Sequence, residues 1–215
     1  MLPFTTQQFV AVFISYNEAI WPVQLAAYVL GCGAVVLLFW KTANADRAIA
    51  GILGLMWVWT GILYHAVFFA SINKAAFLFA AMFVTQGSYL VYSGVIHHRI
   101  QFGFRSNPAG WLGAGFVSYA MILYPSVGIL TGHAYPEMPA FGVTPCPVTI
   151  FTFGMLLLTT GLTQLRLFVI PLLWSLIGGS AAILLNVPQD WLLLASGTIT
   201  IPVIIAQTRA TAAMM

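Results

Sequence analysis

Cys146 stands between Pro145 and Pro147, at the end of a proline-rich stretch that also carries His133, Tyr135 and Glu137. Pro-Cys-Pro reads as the start of a helix with Thr144 as its N-cap, and the positive end of the helix dipole favours a thiolate there. Such a thiolate can act as nucleophile or redox thiol, with His133 or His65 as its base. The same side chains suggest soft-metal chemistry: His65, His133 and Cys146 would hold copper(I) or zinc, with a carboxylate such as Glu137 suited to zinc. Against this, the chain's two cysteines, Cys32 and Cys146, lie far apart, and no CxxC or short-spaced ligand pair occurs. No metal cofactor is therefore predicted. Without a catalytic signature, the reading leans away from an enzyme.

His65 is the second reactive group. It lies within WVWTGILYHAVFF, an apolar run in which an ionisable side chain is costly and needs a partner or water. Trp57, Gly61, Tyr64, His65 and Phe68 recur at three- and four-residue spacing and so share one helix face, which suits a ligand-facing wall. The alternative is a core histidine bonded to a neighbouring helix. Lys74 follows just beyond the run, where it either snorkels to headgroups or pairs with Glu18 or Asp190. Glu18, Tyr64, His65, Lys74, His133, Tyr135, Glu137, Cys146 and Asp190 are the candidate ligand-binding residues.

These residues must be positioned by helices in lipid. Of the 215 residues 61% are hydrophobic and 5% charged, against about 25% charged in soluble domains. The basic residues never cluster, so a nucleic-acid footprint is excluded. A spanning helix needs roughly 20 apolar residues, and seven segments approach that length: 19–40, 48–71, 75–97, 110–132, 147–165, 168–187 and 190–208. The fold expected is one all-α domain over 1–215, a polytopic membrane bundle of seven transmembrane helices. Residues 1–18 are expected to belong to the mature chain and to form an interfacial helix with Phe4, Phe9, Phe13 and Tyr16 on one face. Lys41, Arg47, Arg99, Arg105, Arg166 and Arg209 all fall on one side and only Lys74 on the other, which predicts an N-terminus outside and a cytoplasmic C-terminus. Gln86, mid-span, should face protein, and the stripe of Ser175, Gly179, Ala182 and Asn186 should let helices approach closely. Tyr124-Pro125 should kink its helix.

Taken together, residues 17–24 (NEAIWPVQ), 64–80 (YHAVFFASINKAAFLFA), 141–154 (FGVTPCPVTIFTFG) and 170–191 (IPLLWSLIGGSAAILLNVPQDW) resemble a bacterial family of small integral membrane proteins of unknown function. The resemblance covers nearly the whole chain. It implies a bacterial inner-membrane location and supplies no activity, ligand or site residue.

The function expected is recognition or passage of a small solute or ion by a polar pocket open to the periplasm. That pocket would be built from the outer ends of helices 1, 2, 4, 5 and 7, and roofed by the Pro-rich loop 133–146. Transport would be passive or ion-coupled, since no Walker-type loop occurs. The alternatives are an accessory or assembly subunit of a membrane complex, and a membrane-embedded enzyme using Cys146 and a histidine. The bilayer is the expected partner, and a homo-oligomer or larger complex is left open.

Overall fold

The computed structural model describes residues 3–160 and 165–212, with side chains as far as Ala206. Thr5 opens the first helix by a reciprocal cap: its hydroxyl accepts from the Gln8 amide at 3.2 Å, and its own amide donates to Gln8 Oε1 at 2.8 Å. Helix α1 (Thr6–Ala19) turns Val12, Phe13, Tyr16 and Asn17 inward, while Gln7, Gln8, Ser15 and Glu18 stay exposed. Pro22 has no amide to continue the ladder, and α2 (Val23–Phe39) leaves at 85° to α1. The expected span 19–40 is thus a continuous helix from Val23 to Phe39, 17 residues long, and the bend that sets it off from α1 lies at its first residues.

Four long helices follow as α3 (Ala45–Ser71), α4 (Ala76–Ile96), α5 (Pro108–Leu130) and, after a short helix, α7 (Arg166–Leu184). The short one is α6 (Pro145–Leu157), and the chain ends in α8 (Trp191–Ala212), preceded by a 3₁₀ turn (Pro188–Asp190). Among the described residues, α3, α4, α5, α7 and the segment Pro188–Ala206 are long and apolar enough to cross a membrane, or six spans if the bent α1–α2 pair counts as one. Seven were expected. The difference at 147–165 is length: α6 has 13 residues, about 20 Å at 1.5 Å per residue, against roughly 30 Å of hydrocarbon. The turn expected at Gln164 falls in 161–164, outside the described residues, as does the side chain of Arg209.

Every residue of α6 is buried. It crosses α5 where Gly113 meets Gly154: a Cβ on either would lie 2.7–2.8 Å from the other's carbonyl oxygen. From α3, Trp57 Nε1 donates to Thr152 Oγ1 at 2.8 Å. Thr144 occupies the N-cap position of α6, but its hydroxyl donates to Ala140 O. The reason is in the sequence: a cap bonds the amide of the second or third helical residue, and the third is Pro147. The far end of α6 is pinned by Gly103 N to Leu158 O at 2.7 Å and Thr160 N to Gln101 O at 2.8 Å. Lys41 and Asp46 pair at 2.8 Å. They hold the same strip, Lys41 donating to Phe102 O and Asp46 accepting from Phe102 N. The short helix therefore reaches both ends of the bundle because loops fold inward to meet it.

Pro125 cannot bond the carbonyl four residues back, and that freed oxygen, Met121 O, accepts from Tyr28 Oη at 3.3 Å. The preceding turn, Tyr119–Leu123, is π-helical. Gln86 is buried and donates to Leu167 O at 2.8 Å. Gly179 lies against the Leu194 backbone, so the small stripe on α7 faces α8. Four tryptophans are more than half exposed or close to it, Trp40 and Trp111 at the Lys41–Phe102 end, Trp21 and Trp191 at the opposite one.

Candidate functional site

A cavity of about 250 Å³ opens at the end of the bundle opposite the Lys41–Phe102 staple. Its geometry begins with α3. From Thr60 to Phe68 this helix is π-helical, and the wider turn lets the consecutive residues Tyr64 and His65 both face inward. Both are buried and both line the cavity. A π segment inside an α-helix is a common mark of a functional site.

His65 has no exposed surface, and neither ring nitrogen has a hydrogen-bond partner among the described residues. Aromatic rings surround it instead, with centroids 4.7 Å away at Phe83, 5.0 Å at Trp174 and 5.8 Å at Phe79, all edge-on. A neutral imidazole holds one donor and one acceptor, so in this cage its acceptor lacks even the weak N–H to ring contact open to the donor. Trp174 Nε1 also makes no hydrogen bond of ordinary geometry among the described residues, with only the Cys146 thiol beside it. Its indole lies flat over Gly178, where a Cβ would come within 3.0 Å of Nε1. The glycine thus makes room for the ring one helical turn earlier, and both residues line the cavity.

The opposite wall is polar. Asp190 is 2% exposed and accepts a hydrogen bond from Tyr124 Oη, with the Cys146 thiol beside it. The aspartate is set there by the turn Pro188–Asp190, whose Gln189 carbonyl accepts from Tyr119 Oη at 2.8 Å. Cys146 is buried, and its neighbours are a carboxylate and the Trp174 indole, so no cation stands beside it to hold a thiolate.

The roof is α1. Phe4, Phe9 and Phe13 line the cavity, with Phe13 stacked 5.4 Å from Tyr64 and Phe4 edge-on at 5.4 Å from Phe69. The helix is fastened at its C-terminal end. Tyr16 Oη donates to Val143 O at 2.6 Å, Asn17 Nδ2 donates to Pro136 O and Met138 O at 2.7 and 2.8 Å, and Trp59 Nε1 donates to Tyr16 Oη at 2.9 Å. The Pro-rich loop therefore does not cover the cavity as expected. It clasps the helix that does, because its carbonyls, left free by the prolines, are the acceptors for Asn17.

Of the nine residues singled out in the sequence, Tyr64, His65, Cys146 and Asp190 line the cavity, and Glu18, Lys74, His133, Tyr135 and Glu137 do not. Glu18, Lys74 and Glu137 are exposed, and the expected pairing of Lys74 with Glu18 or Asp190 does not form. Tyr135 Oη donates to Asn17 O at 3.2 Å, a role in fastening α1. His133 is half-buried with Nδ1 unpartnered and lies outside the cavity. His65, His133 and Cys146 are thus not assembled. Among the described residues no group of three or more His, Cys, Asp or Glu is placed to hold a metal ion. Sequence reasoning missed Trp174 and Tyr124. The Trp174–Gly178 pair at four-residue spacing was the available signal for the first, and Tyr124 gave none beyond its place before Pro125.

Residues 6–214 match the family described as "Family of unknown function (DUF6064)", and the chain belongs to that family. No curated protein and no solved structure matches the chain.

Proposed function

We propose that this family member is an integral membrane protein that recognises a small, mostly apolar solute in the cavity beneath α1. The observation that carries the reading is His65, fully buried with both nitrogens unpartnered at the wall of a cavity. A buried polar group without a partner costs about 1–3 kcal/mol, and a ligand that bonds it recovers that cost. Recognition is favoured over passage. Below His65 the core continues as Trp57, Phe83 and Phe151, all fully buried, with Trp57 and Phe83 in ring contact at 4.3 Å. Of the three acids expected to attract an ion, Glu18 and Glu137 stand outside the cavity, and Asp190 in its wall is already engaged by the Tyr124 hydroxyl, so a free cation fits the lining less well than a neutral molecule.

The protein sits in the bacterial inner membrane with seven passages, α6 making one of them inside a sheath of protein. The cavity faces the periplasm and the Lys41–Phe102 staple faces the cytoplasm. Support comes from the basic residues gathered at helix ends on the staple side and from the exposed tryptophans at the two ends, which suit the two interfaces. With Cys32 replaced by alanine, Lys74→Cys should react with a membrane-impermeant maleimide in intact cells and Arg105→Cys only after permeabilisation. The reverse pattern overturns the orientation.

Benzyl alcohol, a ring bearing one donor and one acceptor, tests the site itself. It should raise the unfolding temperature of the purified protein saturably, because a ligand that binds only the folded state stabilises it. Ala182→Phe and Ala181→Phe, which fill the cavity from α7, should each remove that rise. No saturable rise in the wild type, or a rise that survives both fillings, overturns the proposal. The buried Cys146, with a carboxylate rather than an imidazole or a cation beside it, gives the enzyme reading no comparable support.

A further inference from the structure

Resting on the reading of this cavity as a ligand site, we propose that its ligand is a bicyclic aromatic molecule bearing a hydroxyl or carbonyl oxygen, and that it enters sideways from the lipid past α7.

The route follows from which side is closed. Toward water the cavity is covered by Phe9 and Phe13 of α1 and by Phe4 just before it, and that helix is tied down through Tyr16 and Asn17. Toward α7 its rim is exposed: Ile177 at 38%, Leu184 at 72%, and Ser180 between them. These three share the outward face of a helix apolar enough to span a membrane, and seven residues of helix give a mouth about 10 Å long. Ser180 Oγ donates back to Ile177 O at 2.9 Å, so the rim presents no free hydroxyl to water. An opening with this lining, on this face, meets hydrocarbon.

The ligand class follows from size and lining. An apolar cavity of about 150 Å³ accommodates a benzene ring, and the 250 Å³ here scales to a fused pair of rings, roughly ten heavy atoms. One side of the cavity is built of ring faces and edges, including Phe13 stacked on Tyr64 and Tyr64 stacked on Phe69 at 5.8 Å, which favours offset or edge-on contact with a flat guest. Trp174 Nε1 can only donate, and the one polar group beside it is the Cys146 sulfur, a weak acceptor that makes no hydrogen bond of ordinary geometry with it, so a guest that carries an oxygen acceptor gains a better bond there. Oxygen on an aromatic ring supplies it and keeps the molecule soluble in lipid.

The probes are 1-naphthol and the charged naphthalene-1-sulfonate, offered to the protein in phosphatidylcholine nanodiscs with empty nanodiscs as reference. The expected result is saturable binding of one 1-naphthol per chain and at least about 100-fold weaker binding of the sulfonate, whose charge would have to be buried unpaired in a cavity that already holds the Asp190 carboxylate. The rim variants Ile177→Trp and Leu184→Trp lie on the exposed face and leave the core intact. They should slow 1-naphthol association by about tenfold or more while changing its affinity by less than about threefold, a kinetic block without loss of the site. Unchanged association in both rim variants overturns lateral entry and leaves the site standing, and equal binding of the sulfonate overturns the neutral ligand class. Failure of 1-naphthol to bind while benzyl alcohol still raises the unfolding temperature overturns the bicyclic class alone. Failure of both probes removes the underlying reading as well.

Discussion

His65 is an imidazole with no hydrogen-bond partner and no water-exposed surface, which is a poor arrangement for stability and a useful one for recognition. Replacing a buried, unsatisfied polar group by an apolar one of similar shape is neutral or stabilising, and binding sites often trade stability for function in this way. His65→Phe should therefore raise the stability of the ligand-free protein by about 1 kcal/mol while abolishing the benzyl alcohol shift, read by thermal unfolding with and without the probe. A histidine with a structural role gives the opposite sign, a loss of stability. That His65 was inward-facing and in want of a partner was legible from its place in an apolar run. That Lys74, one turn beyond the same helix, would stand exposed while Asn73 lined the cavity was not, because a single-residue offset at a helix end depends on where the turn tightens. Cys146 stands at a helix start as expected, but the dipole argument for a thiolate did not reckon with the Asp190 carboxylate, which arrives from 44 positions later in the chain.

At the scale of elements, the bundle is organised around α6, a helix too short to cross the bilayer by itself and buried along its whole length. Its register depends on the glycine crossing with α5, where each backbone carbonyl sits in the space a side chain would take. Gly154→Ala should push the two helices apart and destabilise the protein by about 1–3 kcal/mol, seen as a lower unfolding temperature and loss of the benzyl alcohol shift, since Pro145 and Cys146 of the same helix line the cavity. A stability equal to the wild type's would show that α6 is not the element that holds the cavity in shape. The helical runs, the aromatic face of α1 and the Ser175, Gly179 and Ala182 stripe on α7 could be read from periodicity, though that aromatic face packs on Tyr64 and Phe69 and Asn186 falls beyond the end of α7. The breaks could not be placed as well. Hydropathy alone runs through Trp21-Pro22 without pause, and it cannot distinguish a 13-residue helix flanked by buried, folded loop from a full span, because both are uniformly apolar.

For the whole molecule, two ends of different character emerge. One is stapled by Lys41, Asp46 and the Phe102 backbone. The other holds an aromatic cavity closed over by α1, with the Pro-rich loop serving as the clasp on that helix. The asymmetry was visible in the sequence as charge bias, and the proline-rich stretch announced rigidity, but which part roofs the cavity depended on Asn17 reaching carbonyls 119 and 121 positions away. The chain's seven tryptophans offer the most direct measurement of whether the cavity holds a ligand. In an NMR spectrum of the indole N–H groups, with the Trp174 signal assigned by Trp174→Phe, a saturating titration with benzyl alcohol should move Trp174 strongly, as a donor with only a weak sulfur neighbour gains an oxygen acceptor, and leave the exposed Trp40 and Trp111 signals nearly where they began. A Trp174 signal that stays fixed at saturation, or drifts no further than those two, contradicts the account.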